Sequence, residues 1–102
     1  MKEYCKKYLD EQFDGDADIM SEIYGEYAES ARTKAAEAAA ALAAGEWTQL
    51  DRVAHTLKGN ALAAGDSEMA ETAIELRKTA ALHDTDASVS LVAKLESFAK
   101  EL

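Results

Sequence analysis

Residues 46–65 read EWTQLDRVAHTLKGNALAAG. Apolar side chains recur there at Trp47, Leu50, Ala54, Leu57, Ala61 and Ala64, steps of three and four that make a heptad-like seam on one side of a helix. Gly65 reads as the stop just past its end, and Asp66 as the cap of the next helix. Gly59 does not fit the scheme. A mid-helix glycine costs about 1 kcal/mol against alanine, and this chain uses alanine as filler almost everywhere else. On a wheel of about 100° per residue, His55 lies about 140° from the centre of the seam. Asp51, Lys58, Gly59 and Leu62 share its side. The helix already has a complete apolar face, so His55 is expected to face solvent.

The flanking sequence repeats the helical period. Residues 2–13 carry Tyr4, Cys5, Tyr8, Leu9 and Phe13, a short amphipathic stripe, and FDGDAD then supplies turn chemistry with Asp16 or Asp18 as a cap. Residues 17–44 place Met20, Tyr24, Tyr27, Ala28, Ala31, Ala35, Ala38 and Leu42 on one face, with Gly45 after the last turn. Residues 67–82 carry Met69, Ala73, Leu76 and Ala80; HDTD at 83–86 predicts a turn; residues 87–101, with Leu102 beyond, carry Leu91, Leu95, Phe98 and Leu102. Four long amphipathic helices with short connections predict an all-α fold, an antiparallel up-down-up-down four-helix bundle over 17–102 with a short additional N-terminal helix over 1–13, in a single domain of 1–102.

Composition agrees with helix throughout and narrows the partners. The chain has 102 residues, no proline, and a formal net charge of −9. Such a surface repels phosphate backbones and anionic lipid, so nucleic acid and membrane are poor partners. No apolar run approaches a membrane span or a secretory signal, and the lone cysteine, Cys5, suits a reducing compartment as a small buried apolar residue, so the cytoplasm is the expected location. Two histidines and one cysteine are too few and too dispersed for a metal site. The aspartates at 14–18 and 84–86 lack a calcium-loop pattern and read as caps and turns.

The chemistry rests on His55. Lys58 at i+3 and Gly59 at i+4 flank the imidazole. A lysine there can offset negative charge on the ring, and a glycine leaves room for another protein to come close. Leu62, one turn on, is an apolar residue off the seam. This arrangement suits reversible phosphorylation of an imidazole nitrogen. By average composition His-x-x-Lys-Gly occurs by chance in about one in a hundred chains of this length, so its position on the solvent face adds to the signal. His83, between aspartates and without a flanking Lys-Gly, is the weaker candidate.

AHTLKGNALAAG, residues 54–65, resembles the signature of histidine-containing phosphotransfer (HPt) domains of two-component signalling: His-x-Leu-Lys-Gly, small residues, then a glycine near the helix end, met by His55, Leu57, Lys58, Gly59 and Gly65. Trp47 and Leu50 and the order of helices extend the likeness over most of the chain. The resemblance implies a phosphorelay carrier. His55 would accept a phosphoryl group from a receiver-domain aspartate of a hybrid histidine kinase and pass it to a response-regulator aspartate. Lys58 would stabilise its charge and Gly59 would give clearance. The domain would bind no cofactor and have no ATP-binding kinase activity; Mg²⁺ is expected on the partner receiver. Docking is expected on Asp51, Asn60 and Leu62, with Asn60 read alternatively as an ordinary exposed polar residue, and the chain is expected to be monomeric.

Two positions depart from the family pattern. Many HPt domains carry a Gln or Glu on the following helix that bonds the far ring nitrogen and sets its tautomer. That place falls at or near Arg77, which can only donate. Either Glu75 serves instead, or the ring is held otherwise, or Arg77 contacts the phosphoryl group. Ala63 stands where an Asn is frequent. Two other functions remain open from sequence: a non-catalytic helical adaptor with His55 incidental, and the phosphorylatable domain of a chemotaxis-type kinase. The second would front a much longer chain, whereas this one opens on Met and ends after its last helix; a stand-alone protein is the more natural expectation, and an excised domain would read the same.

Overall fold

Three aspartates fix the starts of helices. Asp16 Oδ1 accepts from the Ile19 N–H at 3.2 Å, Asp66 Oδ1 from the Met69 N–H at 3.2 Å, and Asp84 Oδ1 from the Ala87 N–H at 3.1 Å. Each satisfies a donor that the first helical turn leaves unpaired. Three helix ends share one device. The amides of Glu46, Asp66 and Asp84 reach back to the carbonyls of Ala41, Ala61 and Thr79 at 2.9, 2.8 and 2.9 Å. The residue before each amide is left-handed: Gly45 at φ 69°, Gly65 at 73° and His83 at 52°. This is the Schellman turn, with a histidine where glycine is usual at the third site.

These signals delimit five helices in the computed structural model, which describes residues 1–102: α1 Glu3–Gln12, α2 Ala17–Ala43, α3 Trp47–Ala63, α4 Ser67–Ala81 and α5 Thr85–Lys100, with no strand. α2 packs on α3 and α5, and α4 packs on α3 and α5, so the four close into a ring. Their connections are too short for anything but antiparallel neighbours. The result is the antiparallel four-helix bundle, 43 Å long and 18–19 Å across. α1 lies across one end. No helix is long and apolar enough to cross a membrane.

The core combines large side chains, Leu50 and Leu57 on α3, Met69 and Leu76 on α4 and Leu95 on α5, all fully buried, with a run of buried alanines on α2, Ala31, Ala35, Ala38 and Ala41, below the buried Met20, Tyr24 and Tyr27 of the same helix. An alanine face lets helix axes come close. The alanine tract of α2 is therefore a packing surface as well as a helix former.

Several expectations need correction. HDTD is only half a turn: Asp84 caps α5, which begins at Thr85 rather than 87. The buried face of α5 is Ser88, Val92, Leu95 and Ala99; Leu91, Phe98 and Leu102 are only half-buried. A bundle helix meets two neighbours, so its face is wider than one seam, and on α5 Leu91 and Phe98 fall at the borders of that face. Likewise Val53 is buried though off the seam, and Ala41 is buried where Leu42 was expected. Trp47 is half-buried and stacks on His83, ring centroids 5.0 Å apart and planes 7° from parallel.

A buried carboxylate holds α1 down. Asp66, fully buried, accepts from Tyr27 Oη at 2.7 Å and Lys2 Nζ at 3.5 Å in addition to its cap bond. Tyr4 Oη lies 2.6 Å from Glu68 Oε1 and 3.2 Å from Asp66 Oδ1, so its single proton serves the shorter contact best. Lys2 also lies over the Phe98 ring, 5.3 Å from its centroid, and its backbone N–H donates to Tyr24 Oη at 3.3 Å. Beneath this network Cys5 and Leu9 are wholly buried. Sequence identified Asp66 as a cap only; its other partners come from segments 39 to 64 residues away.

Candidate functional site

α3 presents His55 near its midpoint, on the side away from the buried Leu50, Val53, Ala54, Leu57 and Ala61. The imidazole is exposed, as the wheel predicts. Lys58 is half-buried one turn on. Gly59 is exposed, and a Cβ placed there would find nothing within 4 Å. The glycine therefore satisfies no internal packing need: its effect is an open floor beside the histidine, at the intrinsic helix cost of about 1 kcal/mol. Leu62 borders the same side and is 54 % exposed.

α4 supplies the ring's partner. Arg77 Nη1 lies 3.1 Å from His55 Nδ1, and Arg77 Nε donates to Asp51 Oδ1 at 2.9 Å. Asp51 and His55 are one turn apart on α3, so the guanidinium bridges both. Asp51 and Arg77 are 42 % and 37 % exposed, which makes this a solvated ion pair of small energetic worth and defined geometry. Glu75 does not reach the ring; its Oε1 accepts from Lys78 Nζ at 3.1 Å, and both are exposed. Of the sequence alternatives, Glu75 as ring partner is set aside, because it lies on the outer side of α4.

Asn60 has a partner inside the bundle. It is half-buried and its Nδ2 donates to Ser30 Oγ at 3.0 Å, tying α3 to α2. This bond commits one of its amide hydrogens within the bundle. His83 belongs to the α4–α5 turn and to Trp47. Trp47, Thr48, Asp51, Arg77, Lys78 and His83 line a shallow groove that leads to the His55 face. The part played by Arg77 in holding the ring was left undecided by sequence; the composition of α4 carried its position but not its direction. No three His, Cys, Asp or Glu side chains come together in a metal-binding group.

With Nδ1 held by Arg77, Nε2 is the nitrogen of this exposed ring left without a partner in the chain. That arrangement can bring an imidazole to another protein's surface. Comparison with curated proteins and with solved structures returned no significant match. The family model described as the Hpt domain matches residues 22–102, which takes in all of α3, α4 and α5 and most of α2, and leaves α1 outside. With the bundle, the exposed His55 and the match over most of its length, this chain belongs to the HPt domain family, whose role is histidine phosphotransfer in two-component signalling.

Proposed function

We propose that His55 is the phosphoacceptor of a phosphorelay: it takes a phosphoryl group from a receiver-domain aspartate of a hybrid histidine kinase and passes it reversibly to the aspartate of a response regulator. The single observation that carries this reading is the exposed His55 beside the vacant surface of Gly59, in a chain of the HPt family. In the accepting step the Nε2 lone pair forms the N–P bond, the O–P bond of the aspartyl phosphate breaks, and its electron pair stays on the receiver's carboxylate.

Catalysis of this kind is positioning and charge stabilisation. Lys58 is placed to offset charge on the phosphoryl oxygens. Gly59 lets the receiver approach, and Leu62 gives that receiver an apolar contact. Mg²⁺ belongs to the receiver, whose acidic site would bind it; this domain contributes the histidine and binds no cofactor. The protein acts as a monomer in the cytoplasm.

The experiment is transfer of radiolabelled phosphoryl from a phosphorylated receiver to the native chain and to His55→Gln. Label on the native chain alone, lost in acid and kept in base, is the expected result. Label on the variant would move the phosphoacceptor to another residue, and label on neither chain from any of several receivers would favour the adaptor reading.

A further inference from the structure

Arginine cannot accept a hydrogen bond, so the 3.1 Å contact between Arg77 Nη1 and His55 Nδ1 has one polarity: Nδ1 accepts. A neutral imidazole whose Nδ1 accepts carries its proton on Nε2. Nε2 then has no in-plane lone pair with which to attack phosphorus. Asp51 holds the Nε of the same guanidinium at 2.9 Å, which directs the Nη1 end toward the ring. The other charged groups nearby are Arg52 and Lys58 on α3, at i−3 and i+3, which cannot accept a hydrogen bond from the ring either, and Glu75 and Lys78 on α4, which pair with each other.

We propose that Arg77, oriented by Asp51, sets the tautomer of His55 and works as a latch on the relay, a positioning role that rests on the phosphoacceptor reading above. At rest it keeps the ring proton on Nε2, the unreactive arrangement. For His55 to accept phosphoryl, Nε2 gives its proton to water, Nδ1 takes one from water, and Arg77 releases Nδ1. The N–P bond then forms as described, leaving a ring bonded to phosphorus at Nε2 and to hydrogen at Nδ1. Loss of the Nδ1 proton to water restores the lone pair that Arg77 binds. Departure of the phosphoryl group with the electron pair returning to Nε2 is easy when Nδ1 is protonated, because neutral imidazole leaves; it is hard when Nδ1 is bare. Arg77 therefore stores the phosphoryl group in its slow form. A carboxylate in the same place would do the reverse.

Two variants separate the polarity of the contact from its mere presence. Arg77→Glu can only accept and Arg77→Lys can only donate. Nitrogen-15 NMR of the unphosphorylated ring at pH about 9, above the ordinary imidazole range, reads the tautomer directly. The native protein should show Nε2–H in excess, Arg77→Lys should retain part of that excess, and Arg77→Glu should shift the ring toward Nδ1–H. Phosphorylated with phosphoramidate, Arg77→Glu should lose its phosphoryl group to water about three- to tenfold faster than native, the effect expected of one exposed charge-assisted hydrogen bond. Circular dichroism should show all three folded alike. Equal tautomer ratios in native and Arg77→Glu, or a lysine variant that matches the glutamate one, would overturn the latch. The relay reading stands or falls separately: native protein that takes label from a receiver while Arg77→Glu changes neither tautomer nor lifetime leaves the relay intact and removes only the latch, whereas native protein that takes no phosphoryl removes the storage role together with the relay.

Discussion

Gly65 touches Tyr8: a Cβ placed on Gly65 would lie 2.5 Å from the Tyr8 Cβ. The contact joins the end of α3 to the underside of α1, and it separates the two glycines of the signature. Gly65 is required by the fold, through its φ of 73° and through Tyr8, while Gly59 has nothing near it.

Substitution should therefore split the pair. Gly65→Ala should destabilise the protein by about 2–4 kcal/mol, combining left-handed strain with displacement of α1. Gly59→Ala should leave stability unchanged or raise it by up to about 1 kcal/mol. Urea denaturation of both variants is the measurement, and a Gly59→Ala variant as damaged as Gly65→Ala would contradict the open floor.

Gly59→Leu adds bulk where only a partner would meet it. The bundle should melt within a few degrees of native, and transfer from a receiver should fall by about tenfold or more, since misplacement by an ångström is costly to a positioned reaction. Normal transfer by that variant would end the clearance argument.

The Asp66 network makes α1 part of the fold although it lies outside the family match. Asp66→Ala removes a helix cap and leaves the buried Tyr27 hydroxyl without its acceptor, and should cost about 2–4 kcal/mol. Tyr27→Phe should cost about 1–3 kcal/mol. Amide hydrogen exchange should show residues 3–12 losing protection first in both. Protection of α1 equal to native would mean that Cys5 and Leu9 hold it without the carboxylate.

Alkaline pH should loosen the same end. Burial, then the Asp66 charge, pushes the Cys5 thiol up from 9.0 to about 11. Burial raises Tyr4 and Tyr27 well above the ordinary phenol range, helped by hydrogen bonds to Glu68 and Asp66. These groups are neutral in both states below pH about 8, so their contribution is complete there. As pH rises further the unfolded chain ionises and the fold resists, and stability should fall steadily from pH about 8 through about 11. Denaturation midpoints across that range check the sign, and Cys5 should react slowly with thiol reagents at neutral pH.

His83→Gly sets two small effects against each other. It relieves a left-handed non-glycine residue and removes the stack on Trp47. Net stability should move by less than about 1 kcal/mol. Emission of Trp47, the one tryptophan, should shift to the red as its ring gains solvent.

The periodicity of apolar residues determined the number of helices, their bounds to within a residue or two, and the side on which His55 would stand. Those are local properties: period, caps and glycine stops act within a few residues of themselves, so a single sequence exposes them. Which residues met across the bundle was decided only by tertiary structure. Asp66 reads as a cap until Tyr27 and Lys2 arrive from elsewhere in the chain, and Asn60 reads as a surface amide until Ser30 lies beneath it. Arg77 is the sharpest case. Its residue type announced that it could only donate, but whether it pointed at a carboxylate, at the ring or at solvent depended on how α4 packs beside α3, and there the guanidinium spans Asp51 and His55 at once.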